Sequence, residues 1–251
     1  MEKRHVRFPW RLRRIVFAVI LIIGCSSAAC GGMNQTPSVS GNTSMMPSLP
    51  VDAKIIHDET NHTIIFLKGR NLSAALESDA NFRQIQAKND AVAIAKAFID
   101  AYCEEFRLMD PVTELAAASV ITDDLGLTHV RFQQIYREIP VSASEIIVHL
   151  DRDKHVYLVN GRYIPTPDHL NIQPHITLSD AEAVVAKHLE RDHTDCPRCA
   201  TNLIILPKPG NGTLLAFRVE ALIRADEGWI YFIDAHSGLI IERQTTIRSS
   251  P

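Results

Sequence analysis

The chain has 251 residues, 46% of them hydrophobic, and its 26 basic and 29 acidic side chains leave a formal charge of −3. That is enough apolar material for one large domain or two small ones with ordinary cores, and the near balance of charge gives no general attraction to nucleic acid. A mean hydropathy of −0.01 excludes a multi-span membrane protein.

The first fifty residues read as export and tethering rather than fold. Lys3, Arg4, Arg7, Arg11, Arg13 and Arg14 form a basic region, and Ile15 to Ile23 an apolar core too short to span a bilayer alone. The core ends in Ile22-Ile23-Gly24-Cys25, which resembles a bacterial lipoprotein signal. The resemblance implies cleavage after Gly24 and acylation of Cys25, with several chains giving stable membrane anchoring where one is marginal. Ser26 is not acidic, so family practice implies an outer membrane facing the periplasm where the organism has one. The competing reading is an uncleaved anchor. Met33 to Pro50 is rich in Ser, Thr, Asn, Met and Pro and is expected to be a disordered tether. The divisions are therefore 1–24 signal, 25–53 tether, 54–168 first domain and 169–251 second domain.

In the first domain, Ile55-Ile56 and Ile64-Phe66 flank Asp58-Glu59-Thr60-Asn61 as an opening hairpin. Asn89-Asp90 caps a helix predicted from Ala91 to Leu108, with Ile94, Phe98 and Tyr102 as its buried stripe. Asp110-Pro111 ends it, and 112–125 holds one further strand. A three-stranded meander follows. Val130, Phe132 and Tyr136 alternate in its first strand, Ile146, Val148 and Leu150 share a face of the second, and Val156 to Val159 form a third that stops at the turn dipeptide Asn160-Gly161. His129 and His149 read as packing or surface residues rather than ligands.

This stretch, THVRFQQ-Y, I-P-V, V-H-L-D and V-N-G, resembles the fungalysin/thermolysin propeptide domain. Two positions depart from the family pattern, because Glu138 and Lys154 stand in turns where the family commonly has Gly. In those families the domain precedes a secreted metallopeptidase. Here none of the histidines stands in H-E-x-x-H, the helical pair that holds catalytic zinc, so a propeptide without its peptidase is expected.

The second domain opens at Thr177-Leu178-Ser179-Asp180, a capped helix start running to about Arg191. Strands are predicted at Leu203-Leu206, Leu214-Ile223, Trp229-Asp234 and Leu239-Gln244. Its L-S-D-A-E-A, L-L-A-F-R-V and Y-F-I-D-A-H-S-G-L-I-I-E segments resemble the PepSY domain, which directly follows the propeptide domain in thermolysin-like precursors. In the D-A-H-S-G turn, Asp234 is expected to accept backbone hydrogen bonds and Gly238 to take positive φ. The fold class is therefore α+β, with two small domains, each an antiparallel sheet packed on a helix.

His188, His193, Cys196 and Cys199 form H-x4-H-x2-C-x2-C. Three readings stay open: a Cys196–Cys199 disulfide closing a loop outside the cytoplasm, a zinc or copper site, and a Cys-x-x-Cys redox pair. Zinc is the one cofactor under consideration. Cys103 reads as a buried free thiol within the long helix. No catalytic residues are assigned, since neither G-x-S-x-G nor G-x-x-x-x-G-K-[ST] occurs.

The expected function is a non-catalytic, lipid-anchored, prodomain-like protein of the bacterial cell envelope. The resemblance implies that it inhibits a thermolysin-like metallopeptidase or assists its folding. The candidate contacts are the meander edge at Gln133, Gln134 and Tyr136 and the tail Thr245 to Pro251. The alternatives are an envelope module binding a protein, ligand or metal, and a remnant of a truncated precursor.

Overall fold

The computed structural model describes residues 47–192, 198–208, 210, 212–224 and 227–246. They fall within one compact unit, Ser44–Pro251. Cys25, the signal, most of the tether, His193, Cys196 and the last five residues lie outside the described set.

The fold is α+β. The first half opens with a hairpin of β1 (Lys54–His57) and β2 (Ile64–Lys68), followed by a 3-10 turn and α1 (Ala80–Ala87). The long predicted helix is divided into α2 (Ala91–Ala101) and α3 (Cys103–Phe106). Asp90 caps α2, its carboxylate accepting from the N–H groups of Val92 and Ala93. Tyr102 leaves helical geometry and Arg107 turns left-handed at φ 57°, which brings Phe106 edge-on to Phe98 at 6.2 Å and beside Tyr163 at 6.5 Å. Cys103 starts α3 and is half-buried rather than fully enclosed.

After α4 (Pro111–Glu114) come β3 (Leu115–Thr122), β4 (Thr128–Tyr136), β5 (Ile139–Leu150) and β6 (Val156–Arg162). The sheet order is β1-β2-β6-β5-β4-β3, antiparallel throughout. The inward residues of this sheet, Leu67, Val130, Phe132, Ile146, Val148 and Val159, pack against Ile94, Phe98 and Ile99 of α2. Each such side chain, once enclosed, contributes about 1.5–3 kcal/mol. The second half has α5 (Leu178–Asp192) over β7 (Arg198–Lys208), β8 (Gly212–Arg224), β9 (Glu227–Asp234) and β10 (Ile240–Thr245), paired in chain order. Thr177 and Asp180 bond reciprocally at the start of α5 as the sequence predicts. Ala181, Val185 and Leu189 of α5 meet Ile205, Leu215, Val219, Tyr231 and Ile233.

The two buried clusters are separate but share a strand. β5 carries Ile146, Val148 and Leu150 in the first cluster and Val141 in the second, where Val141 pairs in parallel with Ile205 of β7. Tyr136 also belongs to the second cluster. The turn between β4 and β5 thus reaches across into the other core.

The D-A-H-S-G turn has its expected form: Asp234 Oδ1 accepts from the N–H groups of His236 at 2.9 Å and Ser237 at 2.7 Å, and Gly238 has φ 72°. Asn160-Gly161 does not. It lies inside β6, opposite Ile147 and Ile146, rather than in a turn.

Candidate functional site

A concavity of about 540 Å³ lies where the two sheets join. Its geometry begins in β5. Opposite β4, the pairs Ile135↔Pro140 and Gln133↔Glu145 leave Val141 to Ser144 on β5 facing the single residue Gln134. The surplus chain swings out to β7, and Ala143 takes φ 53° at the bend. Gln133 fixes the bend. Its Nε2 donates to the carbonyls of Val141 at 2.7 Å, Ser144 at 2.9 Å and Gln134 at 3.0 Å. Carbonyls turned out of a ladder need such a donor, because leaving a buried one unpaired costs about 1–3 kcal/mol.

The groove runs past this bend. One wall is Asp58 to Asn61 with Arg162 and Tyr163; the other carries Leu206, Pro207, Arg218, Ile230, Phe232 and Gln244. Ile204, Leu206, Ala216 and Phe232 form a small buried cluster on the sheet face opposite α5, and its members Leu206 and Phe232 give the groove apolar lining. The amides of Asn61 and Thr60 hold the Asp58 carboxyl below its ordinary range, so it is anionic and shares the groove with the cationic Arg162 and Arg218. Arg218 is partly satisfied by Glu220 at 2.9 Å. Among the described residues the lining contains no imidazole or thiol. An apolar surface between two guanidinium groups and a carboxylate suits an extended peptide with alternating apolar and charged side chains.

The sequence-predicted contact residues stand elsewhere in this arrangement. The meander has no free edge from Thr128 to Gln134, because β3 pairs along it. Gln134 is fully buried, donating to the Ile164 carbonyl at 2.8 Å and accepting from the Ile164 N–H at 3.1 Å. Tyr136 is 6% exposed. Gln134 and Tyr136 are thus enclosed, while Gln133 is half-buried beside the bend. The groove residues Asp58, Arg162 and Arg218 escape sequence reading, since a turn and two strands far apart in the chain supply them. Gln244 on β10, the residue before the predicted contact tail Thr245 to Pro251, also lines it.

Of the four His and Cys candidates, His188 and Cys199 are described. His188 Nδ1 is 3.3 Å from the Tyr231 hydroxyl, a helix-on-sheet contact. Cys199 sits opposite Ala221 on β8 and packs against the second cluster. A separate group, Asp151, Asp153 and His155, has ligand atoms within 4.8 Å of one another. Both ring nitrogens of His155 already face carboxylates, Asp151 at 3.2 Å and Glu77 at 3.4 Å, so the imidazole ties the β5–β6 turn to the 3-10 turn.

Among curated proteins, the chain is 32% identical over 131 residues to a thermolysin of Alicyclobacillus acidocaldarius subsp. acidocaldarius, covering 49% of this chain and 24% of that protein. It is 29% identical over 163 residues to the thermostable neutral protease NprT of Geobacillus stearothermophilus, covering 61% and 29%. The chain thus spans between 24% and 29% of the length of these relatives. Among solved structures, the Bacillus megaterium YpeB C-terminal domain aligns over 77% of this chain and 81% of its own, at 13% identity and a TM-score of 0.35. Residues 113–163, which hold β3 to β6 and the bend that shapes the groove, match the Fungalysin/Thermolysin Propeptide Motif.

Proposed function

We propose that this protein is a lipid-anchored, non-catalytic partner of a thermolysin-like metallopeptidase, inhibiting it or assisting its folding as a prodomain does. The match of residues 113–163 to the propeptide motif carries the reading, in a sequence that has no H-E-x-x-H. The likeness to thermolysin precursors over about half the chain supports it. The two-part organisation, 54–168 resembling the propeptide and 169–251 resembling PepSY, belongs to the same proposal. So does anchoring through an acylated Cys25 in a bacterial envelope membrane.

In this reading the groove receives an extended segment of the peptidase. Leu206 and Phe232 bury apolar side chains of that segment, while Arg162 and Arg218 meet its carboxylates. The exposed edge of β10 adds backbone hydrogen bonds without offering a scissile bond in productive geometry. The full chain, purified in detergent micelles, is mixed with a thermolysin-like enzyme of the same organism. A fall in peptidase activity, or a higher yield of refolded peptidase, is expected. If neither moves over a wide range of concentration, the reading is wrong.

A further inference from the structure

On the sheet face turned away from α2, His129 of β4 stands directly opposite His149 of β5. Their Nδ1 atoms are 2.6 Å apart and the rings cross at 71°. Each ring is also held from its far side. His129 Nε2 faces Asp123 Oδ2 at 3.3 Å, and His149 Nε2 faces Asn160 Oδ1 at 2.6 Å. Asp123 is itself fixed by the N–H groups of Leu125 and Leu127, both at 2.9 Å.

These outer partners set the tautomers. A carboxylate and an amide oxygen only accept, so both Nε2 atoms carry the protons. The two Nδ1 atoms are then bare lone pairs pointed at each other across 2.6 Å. That arrangement is repulsive unless a cation lies between them. Protonating both Nδ1 atoms would replace it with two facing N–H groups and two positive charges, which is worse. A single cation, one proton or one metal ion, is what the geometry accepts. Imidazoles whose second nitrogen donates to a carboxylate or amide oxygen are also the usual support of metal-ligating histidines, since that bond fixes the ring and raises its basicity.

We infer that His129 and His149 form a two-imidazole site for a single borderline transition-metal ion such as Zn2+, bound through both Nδ1 atoms and backed by Asp123 and Asn160. Zinc–imidazole bonds of about 2.0–2.1 Å at a tetrahedral angle need the nitrogens about 3.3 Å apart, so the rings must part by about 0.7 Å. The His129 side chain is 28% exposed, which leaves room for that movement and for water at the remaining coordination positions. The neighbouring cation Arg131 is paired with Glu145, and Asp123 adds a negative charge behind the site. The site is separate from the groove and does not depend on the peptidase reading.

Calorimetric titration of the full chain with Zn2+ tests it, using Cys196→Ser/Cys199→Ser as the background so that thiolates do not compete. One ion binding in the micromolar range is expected. His129→Gln and His149→Gln each abolish it, and Asp123→Asn weakens it about 10- to 100-fold. Side-chain 15N spectra of the unsubstituted histidines read the same site without relying on a variant that folds: Zn2+ should move the Nδ1 resonances of His129 and His149 while their Nε2 atoms stay protonated. Equal zinc uptake by the parent and both Gln proteins, or Nδ1 resonances that ignore the metal, would mean the pair merely shares a proton and overturns the proposal.

Discussion

Gly161 lies under the backbone of Glu145, so close that a Cβ on it would stand 2.2 Å from the Glu145 carbonyl oxygen and 2.9 Å from the Ile146 Cα. Glycine is required here for close approach of two strands. The atoms in the way are backbone, so no side-chain rotation relieves the clash. Gly161→Ala must push β6 off β5, next to the bend that forms the groove. The expected cost is about 1–3 kcal/mol or somewhat more, as for other overpacked sites, read as a lower urea midpoint.

The two turns in which Glu138 and Lys154 stand where the resemblance leads one to expect Gly take positive φ without it. Arg137 and Glu138 have φ of 48° and 70°, both positive, which makes a two-residue type I′ turn between Tyr136 and Ile139. Lys154 has φ 66°. Each non-glycine residue in this region costs about 1–2 kcal/mol relative to its preferred conformations. Among the described residues no side-chain hydrogen bond of Glu138 offsets it, so Glu138→Gly should raise stability by about 1 kcal/mol. Lys154 differs, because its Nζ donates to Thr128 Oγ1 at 3.0 Å. Lys154→Gly gives up that bond while relieving the backbone, and its net effect should lie near zero. Urea midpoints of the two variants that moved equally would refute this account.

Asp234 sets part of the acid limit of the fold. Burial works against its ionised form, but the N–H groups of Ser237 and His236 outweigh that, and the carboxyl sits below its ordinary value of 3.8. A group with a depressed folded pKa supplies stability above its unfolded pKa and loses it as pH falls through the folded one. This contribution is therefore complete at neutral pH and disappears below about pH 4. Asp234→Asn keeps an oxygen for both amides but cannot titrate. Its unfolding midpoint should fall less steeply between pH 5 and pH 2.5 than that of the parent, since about one titrating carboxyl is removed. Parallel acid limbs would remove Asp234 from the explanation.

Local pattern made much of this fold readable, and register hid what mattered for the sites. Alternation found β4, β5 and β6, because each has one buried face, and capping residues found the starts of α2 and α5. α1 was not legible: its Ala80–Ala87 segment has only Phe82 and Ile85 as large apolar residues, too few to set a period. Asn160-Gly161 has turn composition, yet the glycine answers to Glu145 on a neighbouring strand. The histidine pair shows the limit most clearly. Counting back from Tyr136↔Ile139 without interruption would place His129 opposite Ile146. The surplus residues at Val141 to Ser144 shift the register by three and set His149 there instead. A bulge held by one glutamine thus decides which side chains meet, and no periodicity announces it.

That glutamine is the most economical place to test the bend. Gln133→Leu keeps the approximate shape of the side chain but removes the donor that serves the Val141 and Ser144 carbonyls. Unpaired carbonyls cost about 1–3 kcal/mol where water cannot reach them, so the urea midpoint should fall while its slope, which tracks the surface exposed on unfolding, stays the same. Ala143→Gly, introduced alone, should stabilise modestly by relieving φ 53°. In the Gln133→Leu background it should gain more, since a freed segment can then relax toward water. The non-additivity is the informative quantity, because residues that share a backbone distortion couple while independent ones add. Strict additivity of the two substitutions would show that Gln133 does not hold the Ala143 bend, and the groove would need another cause.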